Sequence, residues 1–272
     1  MTVLSHKAPV NIGAVSLTVR DLATVSAFYE SVVGLQPITA TATERHLGAG
    51  GTVLLKLIED KAAKPASPGS AGLFHTAFLL PTREDLAMWT NHAVENRHPV
   101  SGASDHLVSE AIYLDDPEGN GIEIYRDRDP SEWTREGSLV KMATLALDFP
   151  SLMQSIAGKN AKWKGAPEGT RVGHIHLKVG NTEEAEAFYQ GVLGFDVMTH
   201  YPGAAFLATG GYHHHLGANV WTSRGASRRE PALGLAAFEL EADPVHHAKL
   251  KAALAKSDSA DPWANRIVLK AK

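Results

Sequence analysis

The chain has 272 residues, 44% hydrophobic and 21% charged, enough to bury the core of one large domain or two ordinary ones. A formal net charge of −4 supplies no basic field for nucleic acid, no stretch reaches the about 20 apolar residues of a membrane span, and no apolar run follows Lys7 as in a signal peptide, so the cytoplasm is the expected location. There is no cysteine, which excludes disulfides, thiolate metal sites and a cysteine nucleophile; with 14 histidines available, a metal has to be held by histidine and carboxylate.

Ile12 to Val19 alternates as a strand does, and a helix capped by Asp21 follows and stops at Gly34. Thr52 to Leu57 is an apolar strand, and Lys61 to Gly72, rich in Ala, Pro, Ser and Gly, is a loop. A second unit opens at Gly72-Leu73-Phe74-His75-Thr76-Ala77-Phe78. It closes on Asp116-Pro117-Glu118-Gly119-Asn120-Gly121-Ile122-Glu123, a turn signal followed by an apolar strand. Residues 129–169, with Pro130, Pro150 and Pro167, form a connector with little periodicity. Val172-Gly173-His174-Ile175-His176-Leu177-Lys178-Val179 then repeats Ile12 to Val19, and Phe188 to Phe195 repeats Phe28 to Leu35 at the same offset without a gap, which identifies a duplication. Asn181 or Thr182 caps the helix of this copy, with Glu183 and Glu184 in its first turn, and Ala205 to Ala208 is a strand. A fainter repeat sets Gly234 to Leu240 beside Gly72 to Phe78, and Asp261 to Val268 beside Asp116 to Glu123. Four units result, roughly 9–60, 70–128, 170–224 and 232–271, each read as strand, helix and about three strands. In linear order, residues 9–128 hold the first pair and 170–271 the second.

Four βαβββ units, the Phe-Tyr-x-x-Val-Leu-Gly-Phe helix end and the Asp-Pro-x-Gly-Asn-x-Ile-Glu ending resemble the vicinal oxygen chelate superfamily. That group includes glyoxalases, fosfomycin- and bleomycin-resistance proteins, and type I extradiol dioxygenases. The resemblance covers nearly all of the chain except the connector. It implies an α+β fold in which pairs of units form two open mixed β-barrel-like modules; it does not select one reaction, since one scaffold hosts several. It also implies where metal ligands stand: a histidine early in a unit's first strand and the glutamate after Asn-x-Ile in the last. The first-strand places are Ala14, His75, His174 and Ala237; the glutamate places are Glu123 and Val268. Pairing unit 1 with 2 and 3 with 4 would split the donors. Pairing the inner units 2 and 3, and the outer units 1 and 4, gathers His75, Glu123 and His174 in one module. Two histidines and one carboxylate are the facial triad of non-haem Fe(II) enzymes, so the second pairing is preferred. It requires the His174 side chain to lie within about 5 Å of the other two, since metal–ligand bonds are about 2 Å. A histidine taken alone in an apolar strand is more often a packed or surface residue than a ligand, and Glu123 between Ile122 and Ile124 fits an outward surface position as well as an inward ligand.

Two further segments resemble extradiol dioxygenases. Tyr113 stands ten residues before Glu123, the spacing of the family's tyrosine, and His106 stands seven before Tyr113, closer than the family's histidine. Tyr113 reads equally as a core aromatic. Phe206 to Leu216 resembles the strand–turn–strand that carries the acid/base histidine, which falls on His214 with His213 beside it; the competing reading of His213, His214 and His215 is an exposed turn. His176 shares a face with His174 and is either a supporting residue or an alternative ligand. Phe74, Phe78 and Trp221 line an aromatic pocket or belong to the core. The resemblance therefore implies a catechol 2,3-dioxygenase-like enzyme acting on a catecholic aromatic with O2 through Fe(II), the triad also accepting Mn(II), Zn(II) or Ni(II). The alternatives are a glyoxalase-like metal-dependent isomerase or lyase, and a metal-free protein that binds a small aromatic. A homodimer is the default assembly.

Overall fold

The computed structural model describes residues 4–159 and 162–272. Unit 1 contains β1 (Val10–Val19), α1 (Leu22–Phe28), β2 (Gln36–Ala40), β3 (Glu44–Ala49) and β4 (Thr52–Glu59). Unit 2 contains β5 (Gly72–Leu79), α2 (Arg83–Glu95), β6 (Gly102–Asp105), β7 (Ser109–Asp115) and β8 (Gly121–Asp127). A short hairpin, β9 (Arg135–Glu136) and β10 (Leu139–Val140), and α3 (Phe149–Gln154) occupy the connector. Unit 3 contains β11 (Arg171–Lys178), α4 (Thr182–Tyr189), β12 (Asp196–Tyr201), β13 (Ala204–Ala208) and β14 (Leu216–Asn219); unit 4 contains β15 (Gly234–Ala242), α5 (Pro244–Leu254) and β16 (Ile267–Ala271). Local chemistry sets the helix ends. Asp21 accepts from the Thr24 backbone N–H and Asn181 from that of Glu184, which makes Asn181 the cap of α4. Gly34 and Gly194 take φ of 84° and 76° and end the two equivalent helical segments, a conformation that glycine adopts without strain.

The units pair inner with inner and outer with outer. An eight-stranded sheet runs β12-β13-β14-β11-β5-β8-β7-β6, and a six-stranded sheet runs β16-β15-β1-β4-β3-β2. Each is closed at its middle by an antiparallel pair of unit-opening strands, β5 with β11 and β1 with β15. Within every unit the first and last strands are parallel. The fold is thus mixed α+β, with two curled mixed sheets forming half-barrels, and each linear half of the chain contributes one unit to each sheet. The fourth unit departs from the expected three strands after the helix. Residues 255–266, between α5 and β16, are too few for two more strands and their turns, so only the closing strand remains. Among the described residues no helix is long and apolar enough to cross a membrane.

The repeated motifs meet one another across the two sheets. The Tyr29 hydroxyl of unit 1 donates to Asp116 Oδ2 of unit 2 at 3.2 Å, and the Tyr189 hydroxyl of unit 3 donates to Asp261 Oδ2 of unit 4 at 2.9 Å. Each aspartate also accepts from the backbone and side-chain amides of the asparagine four residues on, Asn120 or Asn265. Both tyrosines are fully buried. This explains why Phe-Tyr and Asp-Pro-x-x-Asn recur together: each pair is one clamp between half-barrels. Tyr189→Phe should leave one buried carboxylate oxygen short of a donor and lower stability by about 1.5–3 kcal/mol. A urea midpoint equal to the parent's would show that the clamp contributes nothing.

Candidate metal centre and its cavity

Strand register brings three donors to one face of the eight-stranded sheet. β5 lies between β8 and β11; Ala77 on β5 opposes Glu123 on one side and His174 on the other, and His75 stands two residues earlier on the same face. The methyl of Ala77 leaves the space between the two partners open. A β-bulge at Gly173 offsets β11 between Val172 and His174, which sets the register of the histidine. His75 Nε2 is 2.9 Å and His174 Nε2 3.1 Å from Glu123 Oε2, and the three donor atoms all lie within 4.8 Å of one another, inside the separation required above. All three residues are buried.

The chemistry of this set fits a divalent metal ion. His75 Nε2 is buried yet lacks hydrogen-bond geometry to any partner, although Glu123 is close. An orphaned imidazole nitrogen and a buried carboxylate aimed at one point cost free energy unless a cation joins them. Burial pushes the Glu123 carboxyl upward, but the His174 and His75 imidazoles outweigh it and hold the group well below the usual carboxylate range. Burial lowers His174 to about 4, against the pull of Glu123. At neutral pH the site therefore offers one anionic oxygen and a neutral His174 imidazole, whose Nε2–H donates to Glu123 and would give up that proton, through a change of tautomer, to ligate a metal. The outer sheet has no such set at the equivalent places. Ala14, Ala237 and Val268 stand there, and the nearby Glu239 forms an ion pair with Lys56 at 2.6 Å and accepts from the Ala14 N–H.

The remaining expected residues surround the triad. His106 Nδ1 lies 2.7 Å from the Ala143 carbonyl, which can only accept, so this nitrogen carries the proton. The Tyr113 hydroxyl then donates to His106 Nε2 at 2.6 Å. Burial and the charge of Glu123 raise the Tyr113 phenol well above its ordinary value, so it remains protonated. The three consecutive histidines are all buried, not an exposed turn, and they diverge. His214 lines the cavity with its ring 4.1 Å from that of His174. His213 lies behind it, Nε2 2.8 Å from Asp127 Oδ1 and Nδ1 2.7 Å from His214 Nδ1. His215 points elsewhere: Nδ1 accepts from the Thr209 N–H and Nε2 donates to the Ser5 carbonyl, a satisfied structural residue that burial lowers to about 3. His176 is not among the convergent donors; Asn219 Nδ2 donates to its Nε2 at 3.0 Å.

The cavity over the triad has a volume of about 420 Å³. Phe74 and Trp221 line it, but Phe78 is fully buried in the core. Met142, Ala143 and Thr144 of the connector form part of its wall. They have no hydrophobic period to mark them in the sequence, and the pairing of Leu145 with Asp105 and of Ala143 with His106 brings them over the site.

Neutral buried histidines make the metal-free protein acid-sensitive. The unfolded chain takes up protons as pH falls below about 6.5, while folded His174 and His215 resist protonation until about 4 and about 3. Their contribution is intact above pH 6.5 and is lost as pH falls through that window, at about 1.4 kcal/mol per pH unit for each. Chelator-treated protein should therefore unfold at lower urea at pH 5 than at pH 7, and equal midpoints would contradict the burial of neutral histidine.

A family model described as the Glyoxalase/Bleomycin resistance protein/Dioxygenase superfamily matches residues 11–124 and 171–260. A catechol-2,3-dioxygenase of Bacillus subtilis is 42% identical over 222 residues, 79% of this chain and 76% of that protein. Among solved structures, a putative dioxygenase from Bacillus subtilis superposes with a TM-score of 0.61 at 15% identity, covering 92% of this chain and 76% of that one. Glyoxalase I from Zea mays superposes with a TM-score of 0.59 at 14% identity, covering 97% and 93%. At these identities the two structures speak to fold alone, whereas the family match and the curated relative span most of the sequence. The chain belongs to the Glyoxalase/Bleomycin resistance protein/Dioxygenase superfamily.

Proposed function

We propose that this protein is an Fe(II)-dependent extradiol dioxygenase that cleaves a catecholic ring beside its hydroxyls and inserts both atoms of O2. The observation that carries the reading is the buried His75–Glu123–His174 set at the base of a cavity whose wall bears His214 and the Tyr113–His106 pair. The similarity to a catechol-2,3-dioxygenase supports the same chemistry. Fe(II) would be held by His75, His174 and Glu123 and would supply redox chemistry with O2.

The protein's own groups handle binding and protons. A catechol has to lose at least one hydroxyl proton to chelate, and His214 is the base placed to take it. Its state follows from its neighbours. Asp127 accepts from His213 Nε2–H, and in the tautomer where His213 Nδ1 carries the lone pair the 2.7 Å contact has His214 Nδ1 as its donor. His214 Nε2 is thus left with the lone pair, as a base requires. The Tyr113 hydroxyl gives its one proton to His106 Nε2, so its oxygen lone pair can accept from a hydroxyl of the substrate, and His106, anchored by the Ala143 carbonyl, fixes the direction of that phenol.

Oxygen uptake tests the reading. Protein reconstituted anaerobically with Fe(II) should consume one O2 per catechol and form a ring-opened semialdehyde acid with strong visible absorbance. Silence across a panel of catechols, with turnover of a glutathione hemithioacetal instead, would sink the proposal.

A further inference from the structure

Four rings stand together in the cavity on the side next to His75: Phe74, His176, Phe206 and Trp221. The His176 centroid is 5.0 Å from Phe74, 5.5 Å from Phe206 and 5.4 Å from Trp221, and Phe74 and Trp221 are 5.4 Å apart, all edge-on. The cluster is held in place. Asn219 binds His176, whose ring lies over Gly217 so closely that a Cβ there would come within 2.7 Å of it. Trp221 is 46% exposed, yet its Nε1 donates to the Pro202 carbonyl at 2.8 Å, fixing the indole at the cavity's edge.

Volume and charge narrow what these rings meet. A cavity of about 150 Å³ accommodates benzene, so 420 Å³ leaves room beside one catechol ring for a group of similar size. Among the described residues that line the cavity there is no lysine or arginine, while Asp115 and Glu123 contribute carboxylates. An acidic substituent would lose its hydration without gaining a countercharge.

The geometry points to an aromatic subsite, made by Phe74, His176, Phe206 and Trp221, that receives an uncharged aryl or alkyl substituent on the catechol. The substrate class is apolar-substituted catechols rather than carboxylated ones. The inference rests on the ring-cleaving function proposed above, but the subsite can be measured without it.

The probes are catechol, 3-phenylcatechol and 3,4-dihydroxybenzoate. With Fe(II)-loaded protein, kcat/KM for 3-phenylcatechol should exceed that for 3,4-dihydroxybenzoate by at least about 100-fold. Trp221→Ala should lower the 3-phenylcatechol value about tenfold and leave catechol within about twofold. Gly217→Ala, which displaces His176, should also lower the 3-phenylcatechol value. Calorimetry on chelator-treated protein supplies the second readout: 3-phenylcatechol should bind more tightly than 3,4-dihydroxybenzoate, and Trp221→Ala should remove that preference. Equal turnover of the carboxylated probe, or an equal loss on all three probes in Trp221→Ala, overturns the subsite. Absence of oxygen uptake with every catechol overturns the ring-cleaving function instead, and the calorimetric preference then decides the subsite alone: its presence supports it and its absence overturns it.

Discussion

Replacing His174 with alanine is expected to abolish metal binding and, with it, the proposed oxygen-dependent ring cleavage. The residue contributes one of three donor atoms that lie within 4.8 Å of one another. Its removal leaves two donors and takes away a group that holds Glu123 in its ionised form. Loss of a partner that merely supports a ligand weakens metal affinity by about 10–100-fold, so loss of a ligand itself should exceed that range. The measurement is metal content after anaerobic loading and desalting, followed by oxygen uptake with catechol. Ala14→Gly is the matched comparison. It alters the equivalent position of the outer sheet, where Glu239 already pairs with Lys56, and should leave metal content unchanged. Stoichiometric metal in His174→Ala would place the site elsewhere.

Gly173→Ala should lower both stability and metal affinity. A Cβ at this position would stand 1.8 Å from Tyr125 Oη and 3.0 Å from Leu79 Cβ. The phenol has little freedom to retreat, because Tyr125 is fully buried and its hydroxyl lies 2.9 Å from that of Tyr212, which in turn donates to Asp127. Overpacking of this kind costs about 1–3 kcal/mol and sometimes more, which at about 2–4 °C per kcal/mol for a chain of this size lowers Tm by on the order of 5 °C or more. Because Gly173 immediately precedes His174 at a bulge, metal affinity should fall as well. Tyr125→Phe removes the offending oxygen, so the double variant should recover part of the loss in a mutant cycle. A Gly173→Ala protein that melts with the parent would contradict the close approach.

Much of the architecture was readable from residues alone. The strands over Ile12 to Val19 and Val172 to Val179, the cap Asp21, the cap at Asn181 or Thr182 and the stop at Gly34 are local effects, and each appears where the pattern put it, with Asn181 as the cap; both strands are buried along nearly their whole length and do not alternate. The shortened fourth unit was harder to read, because Asp261 to Asn265 repeats the turn of Asp116 to Asn120 and implied the missing strands. Around the site the legible part was again motif-bound: His75, His174, Glu123, Tyr113 and His214 each occupy a recognisable position in a unit. Asp127 behind His213 was not foreseen, nor were Met142 to Thr144 over the cavity, since nothing in their own segments distinguishes them.

The sequence by itself determined the duplication, the element types, and the divergence of the repeats at Ala14 against His174 and Val268 against Glu123. Those depend on local periodicity and on the chemistry of single side chains. Only the tertiary structure decided that β5 pairs with β11, that Ala77 spaces Glu123 from His174, and that a charge-free aromatic cluster flanks the donors. These depend on strand register and on contacts between segments far apart in the chain. Divergence at the donor places favours one pairing of the repeated units, and strand register is what settles it.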